Sequence, residues 1–260
     1  MDVVTAIEGG LVVSCQAPEG HPLRDPHTIA LLARCAELGG AAGLRVNGPE
    51  DVRAVKAATD LPLIALAKVP RPNARPLITP TFALCESLVR AGADMVALEV
   101  TAEAEPAAGD LPSLVERVWK ELGVPVMADV STAEEGLLAW NRGAALISTT
   151  LSGYTPYTAT DPAPAADPAL PVRADAADSA SRPGTGSAPR PGVPYEPDLD
   201  LVGQLAALGV RTVAEGRLRT DAHVAEAFAR GAWSVVIGAA ITDPLALTRH
   251  LTAATPRGRR

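Results

Sequence analysis

The chemistry-bearing residues of this 260-residue chain collect at the ends of short apolar runs. Lysine is scarce: among 23 basic residues only Lys56, Lys68 and Lys120 are lysines. Lys68 closes Leu63-Ile64-Ala65-Leu66-Ala67, a run of strand length with no polar face. Other runs close in the same manner, on Gln16, Arg45, Glu99, Asp129, Thr149-Thr150, Glu215-Gly216-Arg217 and Gly238. An amine and a carboxylate can move a proton once desolvation or neighbouring charge brings their pKa values toward neutrality. Lys68 and Glu215 are therefore acid/base candidates. Any one of these residues alone is equally well a solvated strand end. Gathered on one rim, they make a site.

The elements that must gather them are visible as an alternation. Eight runs, at 11–15, 42–46, 63–68, 95–99, 125–129, 145–149, 211–215 and 234–238, are too short for helices and nearly continuous in aliphatic residues. Strands buried on both faces of a parallel sheet read this way. Helical patterns follow most of them: 27–38 sets Ile29, Leu32, Ala33 and Ala36 on one stripe, and 50–58 does the same with Val52 and Val55. Capping signals stand at Ser131-Thr132-Ala133-Glu134-Glu135, Thr220-Asp221 and Thr242-Asp243-Pro244. Glycines at 39–40, 92, 143, 209 and 231 close helices ahead of the next strand. Eight strands each followed by a helix fit an α/β chain folded as a (β/α)8 TIM barrel, with an open doubly wound sheet as the competitor. In such a barrel the carboxyl ends of the strands face the active site.

The interval between the run ends at 149 and 215 is more than twice any other. It holds ten of the 24 prolines, with Ala, Asp, Ser, Gly and Arg, and too little apolar surface to offset the entropy of ordering. Residues 158–193 are expected to be a disordered, low-complexity insertion after the sixth strand, within a single domain spanning 1–260. Two domains would leave 198–260 with two strands and no core of its own.

Composition excludes several classes. A net charge of −7 argues against a nucleic-acid partner. No run approaches the ~18 apolar residues of a membrane span, and the start lacks a basic stretch leading into an apolar core. The expected location is cytoplasmic. Cys15, Cys35 and Cys85 have no CxxC or zinc-finger spacing, so reduced thiols and no metal are expected. GxGxxG after a strand, HExxH and GxSxG are missing, which leaves dinucleotide, metalloprotease and serine-hydrolase chemistry unsupported. Gly216 with Arg217, and Gly238 with Ala239, stand where barrels often cradle phosphate, after the seventh and eighth strands. The residues by themselves support a barrel enzyme acting on a small anionic metabolite.

Six junctions are more specific: Leu11-Val12-Val13-Ser14-Cys15-Gln16-Ala17, Gly43-Leu44-Arg45-Val46-Asn47-Gly48, Ile78-Thr79-Pro80-Thr81, Met127-Ala128-Asp129-Val130-Ser131-Thr132, Ser148-Thr149-Thr150-Leu151-Ser152-Gly153-Tyr154-Thr155 and Ala214-Glu215-Gly216-Arg217. Through them nearly the whole chain, apart from the proline-rich tract, resembles the N-acylglucosamine-6-phosphate 2-epimerase family. The resemblance implies a barrel of the ribulose-phosphate-binding type that interconverts N-acetylmannosamine 6-phosphate and N-acetylglucosamine 6-phosphate in sialic acid breakdown, with no cofactor. It implies proton removal at C2 of the open-chain sugar, an enediolate, and return of a proton to the opposite face. Lys68 would move that proton with Glu215 as acid/base partner. Gln16, Arg45 and Asp129 would hold the sugar, with Glu99, Thr150 and Ser152 counted among the substrate-binding residues. Gly216, Arg217, Gly238 and Ala239 would hold the phosphate.

Two positions depart from the family's habit. Many members carry Asp where Glu99 stands, and many carry Arg where Asp243 stands before Pro244. Asp243 reads as a helix cap, but its charge would repel a nearby phosphate, for which Arg217 could compensate. Another phosphate-binding barrel isomerase and a non-catalytic sugar-phosphate binder are the competing readings. The apolar helix faces permit a homodimer.

Overall fold

The computed structural model describes residues 2–104, 110–159, 196–253 and 255–256. Its strands are β1 (Leu11–Cys15), β2 (Gly43–Asn47), β3 (Leu63–Leu66), β4 (Lys68–Arg71), β5 (Ala74–Ile78), β6 (Met95–Glu99), β7 (Val126–Asp129), β8 (Leu146–Ser148), β9 (Thr212–Glu215) and β10 (Ser234–Ile237). Eight of them run parallel and close into a barrel, in the order β1-β2-β3-β6-β7-β8-β9-β10 and back to β1. Each of the eight expected runs is one of these strands, so the open-sheet alternative falls.

Helices alternate with the strands: α1 (Val3–Ala6), α2 (Pro26–Leu38), α3 (Pro49–Lys56), α4 (Phe82–Ala91), α5 (Leu111–Arg117), α6 (Ala133–Asn141), α7 (Leu199–Ala207), α8 (Asp221–Ala229), α9 (Ala239–Thr242) and α10 (Pro244–Ala253). A π turn, Val118–Leu122, extends α5. The capping signals act as read. Thr132 and Glu135 form a reciprocal capping box on α6, and Thr220 accepts from His223 N at the start of α8. None of the described helices is long and apolar enough to cross a membrane.

The barrel interior is filled by every second residue of each strand. Val12, Ile64, Leu66, Met95, Ala97, Met127, Leu146, Val213 and Val236 form one buried cluster, joined from below by Val3, Val4 and Ile7 around α1. Residues between them, such as Val13, Leu44, Ala65, Leu98 and Ala128, belong to the cluster under the helices. Aliphatic packing fills the barrel where aromatics are few. Gly43 keeps room for the stopper: a Cβ there would meet Ile7 Cγ2 at 2.9 Å.

One element escaped the sequence reading. The third run reads as a strand to Lys68, but β3 ends at Leu66, and Lys68 opens an antiparallel hairpin, β4–β5, with Lys68 opposite Ile78. Pro70, Pro72 and Pro76 disguise it, and Asn73 turns it with φ 55°. Thr79 locks its base. With φ 49°, it donates to Ala97 O (2.7 Å) while accepting from Ala67 N (2.9 Å).

The segment expected as an insertion departs between β8 and β9, which pair directly. Residues 158 and 159 still belong to a turn bonded to Thr155 O. The rest of it, 160–193, lies outside the described residues.

Candidate active site

The inward alternation that builds the apolar plug dictates what stands above it. Two residues beyond the topmost plug member, each inward position turns polar: Ser14 after Val12, Lys68 after Leu66, Glu99 after Ala97, Asp129 after Met127, Ser148 after Leu146, Glu215 after Val213. Arg45 joins this layer from β2, and Gly238 follows Val236 above β10.

Arg45 organises the layer. Its guanidinium is 2 % exposed and donates through Nη1 to Glu215 Oε1 and through Nη2 to Asp129 Oδ2. On the far side of the two carboxylates, Thr150 Oγ1 lies 2.9 Å from both Asp129 Oδ1 and Glu215 Oε2. Ser148 Oγ adds contacts to Thr150 Oγ1 (2.7 Å) and Glu215 Oε2 (3.1 Å). The Glu215 backbone is held as well, since its N–H donates to Thr149 Oγ1 (3.2 Å), whose hydroxyl reaches Glu215 O (3.0 Å). Gln16 Nε2 donates to Ser14 Oγ at 2.8 Å, while its Oε1 is buried with no partner among the described residues.

The electrostatics follow from burial. Asp129 has no exposed surface, and desolvation pushes its carboxyl up to about 7, against the pull of Arg45 and with the push of Glu215. Burial opposes the charge on Arg45, but Asp129 and Glu215 outweigh it and hold the guanidinium above its ordinary value. Two carboxyl groups thus share the Arg45 guanidinium, a setting in which acid/base groups are tuned.

The remaining expected residues are placed as follows. Lys68 sits at the mouth of the barrel, partly buried, its backbone N–H bonded to Asn47 Oδ1 at 2.9 Å. The Glu99 carboxylate is occupied by Arg75 from β5, which donates to both its oxygens and also reaches Glu103. Ile78 N, opposite Lys68, donates to Glu99 Oε2 at 3.3 Å. The hairpin carrying Lys68 is thereby tied to β6. Ser152 Oγ donates to Asp198 Oδ2, the cap of α7. Arg217, at φ 62°, donates to Ser152 O (2.8 Å) and Glu196 O (2.7 Å), and lies over the Tyr154 ring. Gly216, at φ 105°, and Gly238 with Ala239 open the loops above the adjacent strands β9 and β10. Asp243 accepts from Ala246 N (2.8 Å), so its charge is met by a helix start, and it lies 3.4 Å from His21 Nε2.

Arg45, Asp129, Thr150 and Glu215 thus come together in one network; Glu99, Ser152 and Arg217 engage partners of their own. Sequence reasoning passed over Ser148, Arg75 and Glu135. Ser148 was findable, as the next inward position after Leu146. In the sequence Glu135 reads as a capping residue. It also accepts from Ala102 N (2.9 Å) and Tyr157 Oη, joining the loops after β6, β7 and β8.

Comparison with known proteins agrees in family. The family model described as "Putative N-acetylmannosamine-6-phosphate epimerase" (NanE) matches residues 29–170 and 186–256. A Caldanaerobacter subterraneus subsp. tengcongensis protein named "Putative N-acetylmannosamine-6-phosphate 2-epimerase" is 38% identical over 252 residues, covering 96% of this chain and 92% of its own. A Yersinia pseudotuberculosis protein of the same name is 37% identical, covering 91% of this chain and 85% of its own. Among solved structures, the N-acetylmannosamine-6-phosphate 2-epimerase from Clostridium perfringens superposes with a TM-score of 0.81 at 29% identity, covering 98% and 97% of the two chains. A thiamine phosphate pyrophosphorylase from Pyrococcus furiosus, at 13% identity and TM-score 0.55, shares the fold alone.

Proposed function

The chain belongs to the N-acetylmannosamine-6-phosphate epimerase family, and from that premise we propose how its rim performs the reaction. The activity is C2 epimerisation of N-acetylmannosamine 6-phosphate to N-acetylglucosamine 6-phosphate, a step of amino-sugar catabolism. The C2 proton is acidic only beside the aldehyde of the open-chain sugar. Its loss leaves a C1–C2 enolate, a better description than enediolate because C2 bears the acetamido nitrogen. Return of a proton to the other face inverts the centre.

Two groups on opposite faces are needed, and Lys68 and Glu215 are the pair: Lys68 moves the C2 proton and Glu215 is its acid/base partner. Arg45 holds Glu215 and Asp129 in place and stabilises negative charge that develops near them. Gln16 and Thr150 hold the sugar and its acetamido group, with buried Asp129 behind them fixing Thr150 and Arg45, and Gln16 Oε1, without a partner among the described residues, suits an amide N–H. Glu99 and Ser152 serve this site through the loops they tie. Gly216 and Gly238-Ala239 offer backbone N–H groups to the phosphate, with Arg217 adding charge beside them. The chemistry so written calls for no cofactor or metal. The reading also takes the chain as one domain acting in the cytoplasm, without nucleic-acid or membrane partners, and as a homodimer through exposed apolar faces such as Leu247 and Leu251 of α10.

The observation that carries this reading is Arg45 gripping Glu215 and Asp129 at the inner rim. Its test is epimerisation of the sugar phosphate by the purified chain. A folded sample that leaves both C2 epimers unchanged sinks the reading.

A further inference from the structure

A count of protons around Thr150 leaves one missing. Four oxygen–oxygen contacts join Ser148, Thr150, Asp129 and Glu215: Ser148 to Thr150 at 2.7 Å, Thr150 to Asp129 at 2.9 Å, Thr150 to Glu215 at 2.9 Å and Ser148 to Glu215 at 3.1 Å. Each hydroxyl supplies a single proton, and an ionised carboxylate supplies none. Two hydroxyl protons therefore fill two contacts. One more proton on a carboxyl fills the three shortest and leaves only the longest without one.

The same count follows from charge. Arg45 neutralises one of the two carboxylates it touches. Among the described residues, the further charge that bears on the Asp129 carboxyl is Glu99, opposite it in the β6–β7 register, and Glu99 is already matched by Arg75. An uncompensated buried carboxylate is costly, and such groups take up a proton instead. Of the two, Asp129 has no exposed surface and Glu215 is 12 % exposed, so Asp129 is the better place for it. The upward push on the Asp129 carboxyl agrees with this.

We propose that Asp129 and Glu215 share one proton through the Thr150 hydroxyl, which makes Asp129 a proton reserve behind Glu215. In the relay, the Asp129 O–H bond breaks as Thr150 Oγ1 gains that proton. The Thr150 proton passes in the same motion to Glu215 Oε2. One carboxyl is protonated before and after, and Arg45 holds whichever is ionised. This rests on the role of Glu215 given above, and it answers a demand of that role. An epimerase runs both ways, so the same carboxyl must begin as base with one epimer and as acid with the other. A proton shared behind it supplies both states at one pH.

The test has two arms. Infrared spectroscopy of the ligand-free protein near neutral pH should show a protonated-carboxyl stretch, lost in Asp129→Asn; a parent protein without that stretch overturns the proposal. Thr150→Val removes only the bridging hydroxyl. Its kcat should fall by roughly 10- to 100-fold, within the range of a lost acid/base contribution, over and above any rise in KM from the lost sugar contact. Thr150→Ser, which keeps a hydroxyl, should stand above Thr150→Val in kcat. A folded Thr150→Val enzyme with the parent's kcat in both directions also overturns it. If the parent does not epimerise at all, the functional reading fails, while the infrared arm still reports on the proton.

Discussion

Arg45 and Glu215, 170 residues apart in sequence, meet across the barrel mouth although β2 and β9 are not neighbours in the sheet. Because the second amino group of Arg45 takes Asp129 on β7, one guanidinium fixes three strand ends. Arg45→Met should therefore leave two buried carboxylates without a cation. Removing one partner of such a pair costs about 3–5 kcal/mol, and Arg45→Lys should recover little, because a compact ammonium lacks the planar, preorganised fork that spans both carboxylates. Denaturant unfolding of the three proteins measures this. Equal midpoints for parent and Arg45→Met would remove Arg45 from its organising role.

The hairpin makes a separate expectation. Arg75 is 6 % exposed and Glu99 1 %, and their pairing holds β4–β5, with Lys68 at its base, against β6. Arg75→Met should raise amide hydrogen exchange across 68–78 far more than in the barrel strands, and should lower kcat by displacing Lys68. Unchanged protection of the hairpin would show that its strand pairing and Thr79 suffice.

Asp129 gives the stability a pH dependence of definite sign. Its carboxyl is raised from 3.8 to about 7 in the fold, so between these values the folded chain holds a proton that the unfolded chain lacks. Stability from this group is present below 3.8 and is lost as pH rises through about 7. Asp129→Asn cannot titrate. The unfolding free energy of the parent minus that of Asp129→Asn should therefore fall with rising pH, by at most about 1.4 kcal/mol per unit. A difference that is flat or rises with pH contradicts the raised carboxyl.

Most of the scaffold was legible because parallel strands buried on both faces are continuous apolar runs, and Leu63–Leu66 or Met95–Leu98 can hardly be anything else. The rim was legible for a related reason: with a period of two, the residue after the last inward apolar side chain must face the mouth. The hairpin was not. Three prolines break its alternation, and its hold on the barrel is an ion pair between Arg75 and Glu99 that no local pattern announces. Arg217 shows the same limit. Its place after β9 was plain, but the two carbonyls it binds, at Ser152 and Glu196, are brought to it only by the fold.

The most direct measurement is incorporation of solvent deuterium at C2 of N-acetylmannosamine 6-phosphate and N-acetylglucosamine 6-phosphate, without added nucleotide or metal, by the parent protein and by Lys68→Ala. The expected result is exchange with both epimers by the parent and none by a Lys68→Ala protein of unchanged circular dichroism. Full exchange by that variant, or none by the folded parent, would contradict the account.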